Sequence, residues 1–247
     1  MQVTFNIDFH VHTNKSMDGI SSLEDLIASA KTRGLNGLVV TDHNLCTDVK
    51  DYQKSDFLVI PGCEISTQVG HITALFIKKE IPIEELWKGQ LPSLEETISV
   101  IHEYGGLAII AHPFQKASRT YTERQMRLVD GIEIYNARDC FKNKKANQMA
   151  HELAEKYNCI KLAGSDGHSK HEVGNAYVAV EAEELDEKCI KQAVIKGNIE
   201  AKLIKNTPHY RKGISQFVKA LRTKKVMKVI KAMVYVAYCI VLDIIRR

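Results

Sequence analysis

Phe5-Asn6-Ile7-Asp8-Phe9-His10-Val11-His12-Thr13 is the stretch of the chain that decides the fold. Apolar and polar residues alternate along it, which is the period-two pattern of a β-strand. Asp8, His10 and His12 are therefore predicted to share one face. A carboxylate and two imidazoles turned towards an interior need a partner, and a divalent metal ion is the most common one. The alternative is that core hydrogen bonds satisfy the imidazoles, and the downstream sequence decides between the two.

The chain has 247 residues and 45% apolar content, enough for one large α/β domain or two small ones. Its six cysteines form no C-x-x-C motif, which indicates reduced thiols in a cytosolic protein. The N-terminus leads into the predicted strand without a basic or apolar leader. A secretory signal is therefore not expected, and a cytoplasmic location is.

Short apolar runs alternate with helical patterns throughout residues 1–206, which predicts one α/β domain of parallel strands joined by right-handed crossovers. Potential metal ligands directly follow most of these runs, whereas His71 precedes one. Barrels and open α/β sheets place their active sites at the carboxyl edge of the strands. The ligand-type residues are His10, His12, Asp18, His43, Glu64, His71, His112, Asp166 and His168. Six imidazoles and three carboxylates suit two or three clustered divalent ions better than one tetrahedral ion.

The motifs that carry these residues are Asp8-Phe9-His10-Val11-His12-Thr13, Thr41-Asp42-His43, Pro61-Gly62-Cys63-Glu64, Ala111-His112-Pro113 and Ser165-Asp166-Gly167-His168. In composition and order they resemble the PHP (polymerase and histidinol phosphatase) superfamily of metal-dependent phosphoesterases. The resemblance implies a distorted (β/α)7 barrel with a trinuclear metal cluster at its carboxyl face. It also implies that all nine residues are ligands, with Glu64 as the bridging one.

The activity that this resemblance implies is hydrolysis of a phosphate ester, here a small phosphomonoester, by a metal-bridging hydroxide. Zinc, manganese and iron all suit imidazole and carboxylate ligands. The nucleotide-cleaving branch carries a large insert before its Ala-His-Pro strand, but only 41 positions separate His71 from His112 here. A nuclease or nucleotide phosphoesterase, an amidohydrolase-type enzyme and a degenerate, non-enzymatic module are the alternatives. No specific nucleic-acid motif is present.

Further residues are candidates for roles beside the metal ions. Asp8 and Asp42 adjoin ligands and are predicted to be catalytic carboxylates that fix the imidazole tautomers, although Asp42 also fits a solvated strand end. Arg138, at a predicted strand end, is the cation best placed to assist catalysis and bind the substrate. Weaker candidates for the substrate phosphate are Lys15, Lys116 and Arg119, which also fit a solvated surface.

The C-terminal segment differs in charge from the rest of the chain. Residues 208–247 contain ten Lys and Arg but only one acid, so their net charge is +9. Because the net charge of the whole chain is +4, residues 1–207 carry a net charge of −5. Ile214, Phe217 and Leu221 begin a series of apolar residues at helical intervals. Residues 207–247 are therefore predicted to form a basic amphipathic helical tail beside the barrel of residues 1–206. The tail suits peripheral contact with an anionic membrane or a partner, and packing on the barrel is the alternative.

Overall fold

Strands and helices alternate along much of the chain, as expected of an α/β fold. The structure is a computed structural model that describes residues 1–52, 54, 56–87, 89–138 and 143–245. The strands are β1 (Val3–Val11), β2 (Gly37–Val40), β3 (Leu58–Thr67), β4 (Gly70–Leu75), β5 (Leu107–Ala111), β6 (Gly131–Asn136), β7 (Ile160–Gly164), β8 (Ala176–Ala182) and β9 (Ile199–Leu203). The helices are α1 (Leu23–Thr32), α2 (Ile83–Trp87), α3 (Leu94–Glu103), α4 (Glu123–Leu128), α5 (Ala146–Tyr157), α6 (Glu187–Lys196), α7 (His209–Arg222) and α8 (Val226–Ile245), with one 3-10 turn at Lys50–Tyr52.

The sheet has the strand order β7-β6-β5-β4-β3-β2-β1-β8-β9. β1, β2 and β3 pair in parallel, as do β5, β6 and β7. β4 is antiparallel to both of its neighbours, and β8 and β9 form an antiparallel ribbon on β1. The prediction of parallel strands throughout is therefore wrong for β4, β8 and β9. Because β4 runs in the opposite direction, its first residues lie at the carboxyl end of its neighbours, which explains why His71 precedes an apolar run.

The sheet curves into a nearly closed barrel. The closure is made at the carboxyl end, where Val11 forms a parallel bridge with Gly167 and the His12 amide donates to the Gly167 carbonyl at 2.9 Å. At the amino-terminal end of β1, β8 pairs with this strand over Val3–Ile7 instead. Gly164 permits the close approach, since a Cβ there would lie 2.2 Å from the Cβ of His10. The predicted α/β barrel is confirmed, whereas the count of seven strands is not, because the described strands number nine.

Alternate residues of the strands pack on opposite sides of the sheet. Val39, Ile60 and Ile109 belong to one apolar cluster, which joins strands from around the barrel to α6. The residues that alternate with these along the strands form two further apolar clusters. One cluster includes residues of α1, and the other includes residues of α3 and α5. This two-layered apolar packing fixes the strand ends that carry the polar motifs.

The C-terminal helices α7 and α8 pack against each other, and α7 contacts the barrel. The buried Ser215 hydroxyl accepts a hydrogen bond from Arg138 at 3.1 Å, and the Arg222 guanidinium donates to the Ser16 carbonyl. On α8, Asp243 accepts hydrogen bonds from the His209 and Tyr210 amides.

Among the described helices, none is both long and apolar enough to cross a membrane. Residues 246 and 247 of the predicted tail lie outside the described residues.

Candidate metal centre

The nine predicted ligands meet at the carboxyl mouth of the barrel. His10 and His12 lie at the end of β1, His43 follows β2, and Asp166 and His168 follow β7. Four overlapping sets of three ligand-type side chains result, and within each set the donor atoms lie within 4.8 Å of one another. The sets are His12, His43 and His168; His10, His12 and Asp166; His10, Glu64 and His112; and His43, Glu64 and His71.

Glu64 occupies the centre of this arrangement, fully buried within β3. Its Oε1 lies 2.7 Å from His71 Nδ1 and 2.8 Å from His112 Nε2, and its Oε2 lies 2.8 Å from His43 Nδ1, 3.3 Å from His12 Nε2 and 3.4 Å from His10 Nε2. One carboxylate therefore reaches five imidazoles, as expected of a ligand shared between ions.

Several buried donor atoms at the mouth have no hydrogen-bond partner within the part of the chain that the structure describes. They are Glu64 Oε2, Asp18 Oδ1 and His112 Nδ1. The imidazoles around Glu64 Oε2 approach it without hydrogen-bond geometry, and His10 Nε2 faces His12 Nε2 at 3.1 Å. Buried polar atoms are rarely left without partners. The three residues belong to or border the groups of convergent imidazoles and carboxylates, and this set of side chains fits a cluster of divalent ions.

Asp18 lies at the rim of the cluster. Its Oδ1 is 3.6 Å from His43 Nε2 and 3.5 Å from His168 Nε2, and its Oδ2 is 3.3 Å from Lys219 Nζ on α7. Burial opposes the ionisation of Asp18, but these cationic and imidazole neighbours hold its pKa well below the usual range. The structure thus places all nine predicted ligands at one site.

The electrostatics of the site favour bound cations. Burial opposes the ionisation of Glu64, yet the surrounding imidazoles, with His43 foremost, hold its pKa well below the usual range. Burial and the neighbouring His168 lower the pKa of His12, which keeps its lone pair available. Burial also acts to lower the pKa of His43, but Glu64 outweighs it and raises that pKa to about 9. Protons and metal ions compete for such nitrogens, so a metal ion that binds here would displace a proton from His43.

The backbone is strained at two of the ligands. His112 has a φ of 29° and Asp166 a φ of 51°, in the left-handed region that few residues other than glycine adopt. Such conformations cost free energy, and they concentrate at sites where function fixes the side-chain direction. Both residues directly follow strands, and the strained backbone turns their side chains into the mouth of the barrel.

Comparison with known protein families adds to this geometry. The PHP domain family matches residues 8–227, a range that includes all nine candidate ligands and the whole of α7. The chain belongs to the PHP family. Family membership and the donor set agree, because the aligned range begins at the His-x-His strand on which the metal centre is built.

Relatives of this PHP domain include an uncharacterized protein of Methanocaldococcus jannaschii, which is 34% identical over 171 residues, 62% of this chain and 96% of that protein. A two-domain Bacteroides vulgatus protein containing a predicted PHP-like metal-dependent phosphoesterase has a similar fold, with a TM-score of 0.62, 18% identity and coverage of 82% of this chain and 65% of that one. The lesion-specific endonuclease EndoQ of Pyrococcus furiosus has a TM-score of 0.59 and 17% identity, covering 81% of this chain and 58% of that one. The chain thus spans less than two thirds of both solved structures.

Glu133 also contacts the candidate metal centre but is not among the predicted site residues. Its Oε1 lies 3.0 Å from His10 Nδ1, and its Oε2 accepts hydrogen bonds from the His112 amide and the Asn136 amide side chain. Such a carboxylate fixes the tautomer and orientation of a ligating imidazole. An acid between two buried isoleucines of β6 is the sequence signal that points to it.

Asp8 and Asp42 do not hold the imidazoles directly as predicted. The register of β1 shifts between Asp8 and Val11, so Asp8 turns to the Ser165 and Gly174 amides, which donate at 2.9 and 2.8 Å. Burial raises the pKa of Asp8 to about 6. Asp42 accepts hydrogen bonds from Thr13 and from Ser16 Oγ, which is 3.4 Å from His12 Nδ1. Both carboxylates therefore position the ligand-bearing backbone, and Asp42 acts on His12 through Ser16.

The predicted substrate cations have different environments. Lys15 and Lys116 are exposed, and Arg119 donates to the His112 and Pro113 carbonyls. Arg138 is buried and lines the cavity above the metal centre. Of the four predicted cations, Arg138 is the one that lines this cavity.

The cavity has a volume of about 290 Å³ and is lined partly by α7. The α7 residues that face it are Lys212, Gln216 and Lys219, none of which is among the predicted site residues. The segment predicted as a separate basic tail therefore supplies one wall of the site. The charge pattern of this segment does not show whether its helix lines the site or lies free on the surface, because packing against the barrel depends on the closed sheet.

Proposed function

We propose that this PHP domain hydrolyses a small phosphomonoester with two or three divalent ions bound at the candidate metal centre. The observation that carries the proposal is the overlap of four three-residue donor sets, two of which contain Glu64. Adjacent sets share a side chain, and shared ligands are the hallmark of clustered ions, which act on phosphate esters by holding both the attacking and the leaving oxygen.

Zinc, manganese and iron are the ions that this donor set suits. The four sets contain imidazole and carboxylate groups, and none of the described cysteines belongs to them. Such ligands accept all three metals, whereas thiolates would favour zinc or an iron–sulfur cluster. The five described cysteines are free thiols, which agrees with the reducing cytoplasm that we propose as the location.

The ions would supply a water nucleophile of lowered pKa and would neutralise the phosphoryl oxygens. The protein side chains supply the orientation. Glu133 fixes the ring of His10 through Nδ1, and Ser16 joins Asp42 to His12. Arg138, Lys212 and Lys219 line the cavity together with the carboxylates of Asp18 and Asp166. This charge distribution suits an anionic substrate better than the neutral cyclic amide of an amidohydrolase.

The size of the cavity favours a small substrate over a nucleic acid. A volume of about 290 Å³ lies near the lower limit for small-molecule sites. The lining of the cavity by α7 also restricts access to the metal centre from one side. A nuclease needs a groove along which the phosphate backbone extends, whereas this cavity is bounded on one side by Lys212, Gln216 and Lys219 of α7.

The test is a substrate panel on metal-loaded protein. Phenyl phosphate, diphenyl phosphate, single-stranded DNA and a cyclic amide are compared at equal enzyme concentration, before and after chelation and reloading with zinc, manganese or iron. We expect the monoester to be hydrolysed fastest and chelation to abolish the activity. Hydrolysis of only the diester or DNA would favour the nuclease alternative, and turnover of only the amide would favour the amidohydrolase alternative.

A further inference from the structure

Asp18 lies in the loop between β1 and α1, and the backbone of this loop is fixed at the mouth of the barrel. The Gly19 amide donates to the Ser16 carbonyl at 3.2 Å, and the Ile20 amide donates to the His168 carbonyl at 2.7 Å. These hydrogen bonds lie on both sides of Asp18 and do not involve its side chain. The position of the Asp18 backbone is therefore set by the loop itself.

Two cations of α7 contact this loop. The Arg222 guanidinium donates to the Ser16 carbonyl, and Lys219 Nζ lies 3.3 Å from Asp18 Oδ2. Lys219 and Arg222 are three residues apart in the helix, so both reach the loop from one side of α7. Of the three carboxylates among the candidate ligands, Asp18 is the one that forms an ion pair with a lysine or arginine among the described residues.

The ion pair with Lys219 occupies only one oxygen of the Asp18 carboxylate. The other oxygen, Oδ1, is buried and has no hydrogen-bond partner in the part of the chain that the structure describes. It lies 3.6 Å from His43 Nε2 and 3.5 Å from His168 Nε2. We call Asp18, His43 and His168 the Asp18 corner. A metal ion bound to Oδ1 would share its carboxylate with the Lys219 ammonium.

Lys219 has two opposing effects on such an ion. Its contact helps to hold the Asp18 carboxylate, but a lysine side chain that is 46% exposed changes an equilibrium by about fivefold at most through an ion pair. The ammonium also repels a doubly charged ion on the same carboxylate, and at separations of a few ångströms this repulsion weakens binding about tenfold even with the screening of water. Because the loop keeps its backbone hydrogen bonds without Lys219, repulsion is the larger effect.

We propose that Lys219 weakens the binding of a metal ion at the Asp18 corner, so that the centre holds two ions tightly and a third one exchangeably. The proposal deepens the proposed function and rests on it, because it assigns different affinities within the same metal cluster. The donor sets that contain Glu64 or Asp166 have a carboxylate without a lysine or arginine ion pair among the described residues, and they would hold the two tight ions.

Competition between the full chain and a chromogenic zinc chelator tests the proposal without measuring turnover. We expect the wild-type protein to retain two zinc ions and to lose a third at about tenfold lower chelator concentration. Lys219→Met removes the charge and keeps most of the side-chain length. It should tighten the third ion about tenfold and change the affinities of the other two by less than about twofold.

Two matched variants are the controls. Lys219→Arg keeps the positive charge, so its zinc affinities should equal those of the wild-type protein. Lys225→Met removes an exposed lysine directly before α8, away from the metal centre, and should also leave all three affinities unchanged. Lys219→Gln supplies a second uncharged side chain, with the same expected tightening, should Lys219→Met fold poorly.

An unchanged or weaker third affinity in the uncharged variants would overturn the proposal. It would leave Lys219 with the docking of α7 alone, which a lower thermal midpoint of the metal-free variants would show. Three zinc ions of equal affinity in the wild-type protein would overturn the proposal too, while the metal centre itself would stand. Protein that binds no zinc, with or without Lys219, would overturn the metal centre and the proposed function together.

Discussion

Glu64→Gln is expected to lower kcat/KM for phosphomonoester hydrolysis by about a thousandfold or more. The substitution keeps the shape of the side chain but removes the charge that faces five imidazoles. A loss of about 4 kcal/mol of stabilisation by the metal centre corresponds to this factor. The amide also adds a donor next to nitrogens that need their lone pairs for metal ions. Metal content and steady-state rates of the same preparation are the measurements.

The matched control is Glu183→Gln, since Glu183 is exposed between β8 and α6. It should retain the wild-type rate and metal content. Wild-type activity in Glu64→Gln with a full complement of metal would show that Glu64 does not hold the ions, and it would contradict the central position given to this residue.

Arg138→Met is expected to lower the free energy of unfolding by about 3–5 kcal/mol, the usual effect of leaving a buried charge without its partner. Arg138 Nε lies 2.8 Å from Glu172 Oε1, and the two side chains are 4% and 1% exposed. The same guanidinium contacts His168 Nδ1 at 2.8 Å and Ser215 Oγ at 3.1 Å. For a domain of this length the loss corresponds to a fall in thermal midpoint of about 10 °C.

A double-mutant cycle separates this structural contribution from substrate binding. Adding Glu172→Leu to Arg138→Met removes the unpaired carboxylate, so most of the lost stability should return. The rate should stay low, because the cavity wall still lacks its buried cation. Unchanged stability in Arg138→Met would mean that Glu172 does not need this arginine, and a recovered rate in the double variant would assign Arg138 a structural role alone.

Most of the candidate metal ligands could be predicted from the sequence because they are tied to a local pattern. His43 and His112 each follow a short apolar run, and the carboxyl ends of parallel strands meet at one edge of a sheet. His71 breaks this pattern, and its place at the same mouth depends on the antiparallel direction of β4. Strand direction is decided by pairing between distant segments, which local periodicity does not report.

The residues around the ligands were harder to predict. Asp8 follows the alternation of the first strand in sequence, but the shift in register between Asp8 and Val11 turns it away from the imidazoles. Glu133 reaches His10 from a strand more than a hundred residues away. Lys212 and Lys219 belong to a segment whose composition fits a surface helix equally well. In each case the contact arises from closure of the barrel, not from neighbours in the sequence.

Metal analysis of the purified protein, combined with phosphate release before and after chelation, tests the metal centre most directly. We expect two to three equivalents of zinc, manganese or iron per chain, because the four overlapping donor sets share ligands. Chelation should abolish phosphate release from phenyl phosphate and lower the thermal midpoint, and reloading should restore both. Protein that binds no metal after reloading, or that hydrolyses the ester equally well without it, would contradict the assignment of these nine residues to a catalytic metal cluster.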